Sequence, residues 1–214
     1  GVVDMESILT TLLQVLDADL LLGIEATAIR ETEGSVAIDT SAGAIEAGTL
    51  VLANGARLSP TLRRLGSSLP VRAARSTIVR LKVQGIPEDH PATIDVDEGS
   101  FWRPDKDGAR MTATFRGNLY VDDGVDDPPL DPDYLDAALT SVAHLVPCWR
   151  TLAARLGDHH MRSGTFAVSG DGAPMIGPLP GYRHILVNGG YGGHGLMMSP
   201  DGARRLAVAF VSPG

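Results

Sequence analysis

The sequence predicts a mixed α+β fold, and three patterns support that prediction. Residues 5–16 repeat apolar side chains at the spacing of one helix face. Residues 71–84 alternate apolar and polar side chains, which indicates a long half-buried strand. The apolar run 185–187 leads into a glycine cluster, and a helical pattern starts near Gly195. Each of these elements has an apolar side to bury against another layer.

Composition narrows the class of protein. The 214 residues are 43% hydrophobic and 21% charged, which is typical of a folded globular chain. The net charge of −8 argues against nucleic acid as a partner. No apolar run reaches the roughly 18 residues that a membrane-spanning helix needs. A single cysteine excludes an internal disulfide and fits a reducing compartment, so we expect a cytoplasmic protein.

Shorter elements fill the first third of the chain. Strand patterns cover residues 20–29, 35–40 and 49–53. Ser59 is predicted to cap a short helix that has Pro60 at its first position and ends near residue 66.

The middle of the chain predicts a hairpin followed by a helix. Strand patterns at residues 101–103 and 110–115 flank a turn at residues 105–108. Residues 122–132 are acidic and rich in proline, which favours a loop. Asp131 is then predicted to cap a helix over residues 134–145.

Five glycines stand between the last predicted strand and the last predicted helix, at positions 189, 190, 192, 193 and 195. Glycine lets the backbone turn sharply and approach a ligand closely. The helix start leaves free N–H donors and a partial positive charge, which favour an anionic or electron-rich ligand. The same residues also fit a plain strand-to-helix turn, so both interpretations stay open.

Three blocks of sequence occur in the order and at the spacings of one known family. The last block contains Asp171-Gly-x-Pro-x-Ile-Gly and then Gly192-Gly-His-Gly-Leu before the final helix. The middle block covers residues 50–60 and 69–72, and the first is Gly1-Val-Val-Asp. Together they resemble the FAD-dependent D-amino-acid oxidase, glycine oxidase and sarcosine oxidase superfamily over nearly the whole chain.

This resemblance implies a domain organisation. Residues 1–70 and 164–214 would form part of an FAD/NAD(P)-binding domain, and residues 71–163 an antiparallel-sheet substrate domain. Family members begin with a strand, a G-x-G-x-x-G turn and a helix that hold the FAD pyrophosphate. This chain has no such motif followed by an acidic residue on a second strand. We therefore expect a fragment that lacks the N-terminal FAD-binding segment. The resemblance is also compatible with a homo-oligomer.

The resemblance also implies which residues contact FAD. Backbone N–H groups of the glycine turn would face the flavin ring, and the loop after residue 52 would run under the phosphates and ribityl chain. Valine at Gly193 is expected to clash with the ring and to penalise a positive φ. The implied cofactor-binding residues are Ala26, Ala53, Asn54, Gly55, Ala56, Gly192, Gly193, His194, Gly195, Leu196 and Met197.

On the substrate side the chain departs from its relatives. Phe166 stands where glycine oxidases have a substrate-clamping arginine, and Met197 where sarcosine oxidases have a lysine. Gly164 replaces their flavin-linking cysteine, which implies non-covalent FAD. The substrate would therefore lack that carboxylate contact, or its cation partner lies elsewhere. Candidates for the cation are Arg75, Arg103 and Arg110, and the candidate catalytic residues are His194, Arg110 and Phe166.

The expected activity is oxidation of an amine or amino acid by hydride transfer to the flavin, followed by hydrolysis of the imine. Whether oxygen or another acceptor reoxidises the flavin is left open, so the enzyme is an oxidase or a dehydrogenase. We expect larger or N-substituted amines to be better substrates than glycine, sarcosine or D-alanine. The alternative function is a non-catalytic binding or scaffold subunit that keeps the fold without the cofactor.

Two other groups of residues are weaker candidates for a functional site. His159 and His160 are adjacent, but no cluster of cysteine, histidine or carboxylate accompanies them, so we expect no metal site. Ser169, Asp171 and His194 lack the G-x-S-x-G elbow of a hydrolase. Asp171 is expected to cap the turn in which it lies.

Overall fold

The computed structural model describes residues 3–87, 89–113, 120–121 and 129–211. The chain divides into two compact units, Gly1–Gly48 and Thr49–Gly214. Within the described ranges, no helix is both long enough and apolar enough to cross a membrane.

The first unit contains one helix and one small antiparallel sheet. Helix α1 spans Met5–Gln14 and begins at Asp4, whose carboxylate accepts a hydrogen bond of 3.1 Å from the N–H of Glu6. The sheet has the order β1-β2-β3, and its strands are β1 Ala26–Glu31, β2 Val36–Thr40 and β3 Gly43–Ala47.

The strands of this unit only partly match the sequence patterns. Strand β2 is confirmed, whereas residues 20–25 of the predicted first strand lie outside β1. Strand β3 was not predicted, because its short Gly-Ala-Ile-Glu-Ala segment has weak intrinsic preference for a strand. Its pairing with β2 across a tight turn compensates for that weakness.

The second unit contains a small mixed sheet and a large antiparallel sheet. The small sheet consists of β4 Leu50–Leu52, β10 Met175–Pro178 and β11 Ile185–Gly189. Strand β11 lies between the other two, antiparallel to β10 and parallel to β4.

The large sheet has the strand order β6-β7-β8-β5-β9, and all its neighbouring strands are antiparallel. The fold class expected from the sequence is thereby confirmed. Its strands are β5 Val71–Lys82, β6 Thr93–Asp95, β7 Ser100–Asp105, β8 Gly108–Ala113 and β9 His159–Ser169. The described part of the unit also contains the helices α2 Leu58–Arg64, α3 Tyr134–Leu145, α4 Trp149–Leu152 and α5 Gly195–Val211.

Helices α3 and α4 cover one face of the large sheet and form the main core with it. Trp102 of the sheet and Trp149 of α4 are buried and meet edge to face, with ring centroids 5.1 Å apart. Tyr134 at the start of α3 packs against the sheet. Its hydroxyl donates a hydrogen bond to the carbonyl of Thr77 and accepts one from the N–H of Ala113. Among the described residues, side chains on the opposite face such as Ile78 are exposed, and we call this the open face.

Two predicted helix caps are wrong. Helix α2 begins at Leu58, because the 3-10 turn Gly55–Arg57 runs directly into it. Ser59 therefore lies inside the first turn, where its hydroxyl accepts a hydrogen bond from Arg63. Helix α3 follows Asp133, and the side chain of Asp131 instead accepts the N–H of Asp133 in the preceding turn.

Several other expectations have a clear outcome. The hairpin turn between β7 and β8 and the helix over residues 134–145 are confirmed. Strand β9 was not predicted at all. Residues 114–115 of one predicted strand and 122–128 of the predicted loop lie outside the described residues.

The domain division inferred from the resemblance stays a prediction. Its boundary at residue 164 falls inside β9, which pairs with β5 continuously from His159 to Ser169. Strand β9 is thus one continuous element that extends over both sides of this boundary.

Candidate functional site

Two turns of the second unit meet at one edge of the small sheet. Strands β4 and β11 are parallel neighbours, and Leu52 lies beside Val187. The chain therefore leaves both strands at the same edge, which is where ligands of open α/β sheets bind. The turn after β4 is residues 53–57, and the turn after β11 is residues 189–195. We call the second segment the glycine turn.

The glycine turn depends on glycine at defined positions. Gly190 and Gly192 have φ values of +77° and +58°, which side chains rarely adopt. A Cβ on Gly189 would come within 2.6 Å of Leu58 at the start of α2, so the glycine turn packs directly against the helix that follows the other turn. Gly193 does not have a positive φ, contrary to the expectation from the sequence, and a Cβ there would meet nothing within 4 Å.

Tyr191 anchors the glycine turn to its surroundings. Its hydroxyl donates a hydrogen bond to the side-chain oxygen of Asn188, and its ring lies against Gly202 of α5, where an added Cβ would overlap it. Burial raises the pKa of the Tyr191 hydroxyl above its usual value, so it remains a donor at neutral pH. The turn is thus held by side-chain contacts, and among its glycines Gly193 is the exposed one, whereas Gly189 and Gly190 are buried.

Helix α5 adds donors to this edge. A 3-10 turn, Gly192–His194, runs into α5, whose 17 residues begin at Gly195. The first N–H groups of a helix lack intrahelical acceptors and carry a partial positive charge. Leu196 and Met197 in that first turn are exposed, and so is His194.

The turn after β4 contributes mainly backbone. Gly55 has a φ of +57°, and Ala53 and Asn54 are exposed. The Asn54 side chain is engaged in structure, because its amide donates to the carbonyl of Arg57 at 3.1 Å and to the hydroxyl of Thr61 at 2.8 Å. Ala56 is partly buried in the 3-10 turn. Ala26 belongs to the other unit, as the first residue of β1.

Strand β9 connects the glycine turn with the open face of the large sheet. Val168 forms a β-bridge with Tyr191, and its methyl group lies 3.8 Å from where a Cβ on Gly192 would be. Phe166 is two residues earlier on the same strand and therefore points to the same face as Val168. The candidate substrate residue Phe166 thus lies on the strand that contacts the glycine turn.

Beside Phe166, the open face holds a cavity of about 550 Å³. Side chains along β5 alternate between the core and the cavity. Val79 is fully buried, whereas its neighbours Ile78 and Arg80 face the cavity. The lining residues with chemical roles are Ile78, Arg80, Arg110, Arg162, Gly164 and Phe166. Two of the three predicted catalytic residues, Arg110 and Phe166, therefore lie in one cavity, and His194 lies outside its lining.

The predicted arginines are distributed over both faces of the sheet. Arg110 is partly buried and binds the carboxylate of Asp105 at 3.2 Å. Arg103 lies opposite Arg110 on β7, 3.7 Å from the same carboxylate. Arg75 belongs to the other face by strand alternation and donates to the carbonyl of Pro129 at 3.2 Å.

Sequence reasoning missed two arginines in the cavity. Arg80 lies on β5 directly opposite Arg110. Arg162 lies on β9 opposite Ile78. The signal that could have found them is the alternation His160, Arg162, Gly164, Phe166, which places four residues on one strand face.

Of the remaining candidates, Asp171 has a structural role and His160 lines the cavity. Asp171 accepts the N–H of Ala173 at 3.0 Å, which confirms its capping role, and this hydrogen bond lowers the pKa of its carboxyl. His159 and His160 are both exposed on β9. In the part of the chain that the structure describes, no group of three or more His, Cys, Asp or Glu side chains could hold a metal ion. The expectation of no metal stays a prediction.

The glycine turn has one position where a ligand could approach the backbone closely. Its backbone is uncovered at Gly193, and the start of α5 supplies N–H donors beside it. A side chain at Gly193 would occupy this open space. The residues that could hold a flavin are therefore present at this edge as backbone groups.

Comparisons with known proteins show the family of this chain. The family described as FAD dependent oxidoreductase (DAO) matches residues 1–208. Glycine oxidase of Pseudomonas aeruginosa is 27% identical over 179 residues, which are 84% of this chain and 46% of that protein. Glycine oxidase of Pseudomonas putida is 26% identical over 197 residues, which are 92% of this chain and 51% of that protein.

A solved structure shows the same fold. The crystal structure of glycine oxidase from Geobacillus kaustophilus matches with a TM-score of 0.69 and 23% identity, over 86% of this chain and 47% of that one. The chain spans about half the length of the curated relatives it matches. The family model extends over almost every residue, so the chain belongs to the DAO family of FAD-dependent oxidoreductases.

Proposed function

We propose that this chain is the C-terminal part of an FAD-dependent oxidoreductase that oxidises an amine or amino acid. FAD is the cofactor of the family, and when bound it would accept a hydride from the carbon beside the substrate nitrogen. The glycine turn and the start of α5 would hold the flavin ring non-covalently. Residues 53–56 would lie along the phosphates and ribityl chain.

One observation supports this proposal above the others. Val168 contacts the glycine turn, and Phe166 on the same face of β9 lines the adjoining cavity. A substrate bound beside Phe166 would therefore lie next to the place proposed for the flavin. In flavin-dependent reactions the protein contributes mainly by binding and orienting the substrate and the flavin next to each other.

The proposal extends to the substrate. The curated relatives are glycine oxidases, and by resemblance Phe166 occupies the place of their carboxylate-binding arginine. A cavity of about 550 Å³ is larger than glycine requires. We therefore propose an amine bigger than glycine, with Phe166 packing against its apolar part.

The visible absorption spectrum of the purified full-length protein is the direct test. We expect flavin bands that shift when an amine substrate binds and bleach when it is oxidised without an acceptor. A colourless protein that does not take up added FAD would instead favour the non-catalytic binding subunit.

The chain by itself is expected to bind FAD with a Kd weaker than about 1 μM. A pyrophosphate is normally held by a glycine-rich turn that is followed by a strand ending in an acidic residue. Apart from the glycine turn, the sequence contains no such arrangement. Calorimetric titration with FAD measures this directly, with the full-length protein as control. Tighter binding would mean that Gly190, Gly192 and Gly195, which themselves have G-x-G-x-x-G spacing, hold the phosphates instead.

Gly164→Val is expected to raise KM for the best amine substrate by about tenfold, with the fold intact. Gly164 has an ordinary φ, and a Cβ there meets nothing within 4 Å, so valine would protrude into the cavity. Steady-state assays of the full-length protein with a dye acceptor give KM, and thermal melting checks the fold. Gly34→Val is the matched control, because Gly34 also has open space around it. An unchanged KM would contradict binding in this cavity.

A further inference from the structure

We propose that the substrate carries a carboxylate remote from its amine, and that Arg80 and Arg162 bind this carboxylate at the end of the cavity away from Phe166. The inference rests on the proposed function and names its substrate class: an amine whose acidic group is several bonds from the nitrogen.

The charge balance of the cavity is the first argument. Arg80, Arg103 and Arg110 surround a single carboxylate, Asp105, at 3.8, 3.7 and 3.2 Å. Arg80 and Arg110 are directly opposite each other on neighbouring strands, a placement that costs stability when the charges are alike. One carboxylate among three guanidinium groups leaves positive charge to be neutralised, and Arg162 adds a fourth cation on the same face.

Availability distinguishes the two proposed residues from the others. The side chains of Arg110 and Arg103 are only 26% and 16% exposed, and both lie close to Asp105. The Arg80 side chain is 62% exposed and makes only the longest of the three contacts. Arg162 is exposed on β9, and the described residues show no ion pair for it. Arg80 and Arg162 are therefore the groups best able to meet a ligand.

The positions of these residues in the sheet place them together. Arg162 lies opposite Ile78, and Ile78 is two residues before Arg80 on β5. Both arginines therefore point to the open face. Diagonal neighbours of this kind are about 7–8 Å apart, and long side chains can reach the same ligand across that gap. Bidentate contact is the geometry in which guanidinium recognises a carboxylate best. Asp105 already shows that the arginines of this cavity hold a carboxylate.

The distance along β9 sets the length of the ligand. Phe166 and Arg162 are four strand residues apart, about 13 Å between Cα atoms. The reach of the arginine side chain shortens that gap, yet several bonds remain between a nitrogen beside Phe166 and a carboxylate at Arg162. In glycine, sarcosine and D-alanine the carboxylate is close to the nitrogen. None of them can therefore place its nitrogen beside Phe166 and its carboxylate at Arg162 at the same time.

Calorimetry with adipate tests the carboxylate site without catalysis. Adipate has no nitrogen to oxidise, so its binding to the full-length protein does not depend on the proposed function. We expect binding to weaken at least about tenfold in Arg162→Gln and in Arg80→Gln, the loss typical of a charge-assisted contact. Arg155→Gln is the matched control, because Arg155 is an exposed arginine outside the cavity. Equal affinity in Arg162→Gln and wild type would overturn the inference.

Turnover then tests the substrate class. N-methyl-aminocaproate and its amide differ only in the remote charge, and we expect the acid to have at least about tenfold higher kcat/KM. Arg162→Gln should remove most of this preference by raising KM for the acid, whereas the control Arg155→Gln should keep the preference and the kcat of wild type. Equal kcat/KM for acid and amide, or efficient turnover of sarcosine or D-alanine, would overturn the inference. Absence of flavin or of any amine turnover would instead refute the proposed function, while the adipate result would still decide the carboxylate site.

Discussion

Gly193→Val is expected to weaken FAD binding by the full-length protein about a hundredfold, while the fold remains intact. A Cβ at Gly193 meets nothing within 4 Å of this chain, and its φ is not positive. The valine side chain would therefore be tolerated by the protein and would occupy the space proposed for the flavin ring. An overpacked contact of this kind costs up to about 3 kcal/mol, which corresponds to about a hundredfold in affinity.

Titration of the apoprotein with FAD, followed by fluorescence, measures this loss. Gly34→Val is the control for the substitution itself, because Gly34 also has open space and an ordinary φ. Gly193→Ala should give a smaller loss than valine, since a single methyl group protrudes less. Unchanged FAD affinity in both variants would mean that the glycine turn is only a structural connection between β11 and α5.

Gly108→Ala is expected to lower the free energy of unfolding by about 3 kcal/mol or more. Gly108 begins β8 with a φ of +154°, a conformation that alanine adopts only with strain. A Cβ there would overlap the carbonyl oxygen of Leu81 and lie 2.7 Å from the N–H nitrogen of Val83. Both are backbone atoms, one in β5 and one in the residue that follows it, so no side chain can move aside to relieve the clash.

The effect should spread to the cavity. Gly108 closes the hairpin that carries both Asp105 and Arg110, and it pairs with Lys82 at the end of β5. Chemical denaturation of the purified chain gives the unfolding free energy, with Gly34→Ala as the matched control in open space. An unfolding midpoint equal to that of wild type would show that the strands can separate here at little cost.

Local patterns in the sequence were sufficient for several elements. The apolar spacing in residues 5–16 and the alternation in residues 71–84 each reflect contacts within a few residues, and α1 and β5 formed where these patterns lie. The glycine cluster likewise predicts a strand-to-helix turn, because only glycine adopts the φ values found at Gly190 and Gly192. The motifs in the same segments identified the family that residues 1–208 match.

Strand β9 was missed for a physical reason. Its buried position at Ser163 is polar, which breaks the apolar alternation that marks a strand. The hydroxyl of Ser163 is satisfied by the hydroxyl of Thr77 at 2.6 Å, and these two residues are 86 positions apart in the chain. No local pattern reveals such a pair, because each hydroxyl is tolerable in the core only once the other is present.

The sequence by itself determined several elements, among them α1, β5 and the glycine turn, and the family to which the chain belongs. Strands β3 and β9 became apparent only through their pairing with β2 and β5. The tertiary structure decided which side chains meet. Arg80 and Arg162 come to one cavity only through the register of β5 with β9, and Arg75 is excluded from it by the same alternation. Register is fixed by long-range pairing and by burial of one sheet face, so a shift of a single residue would exchange the cavity-facing arginines for the buried side chains beside them.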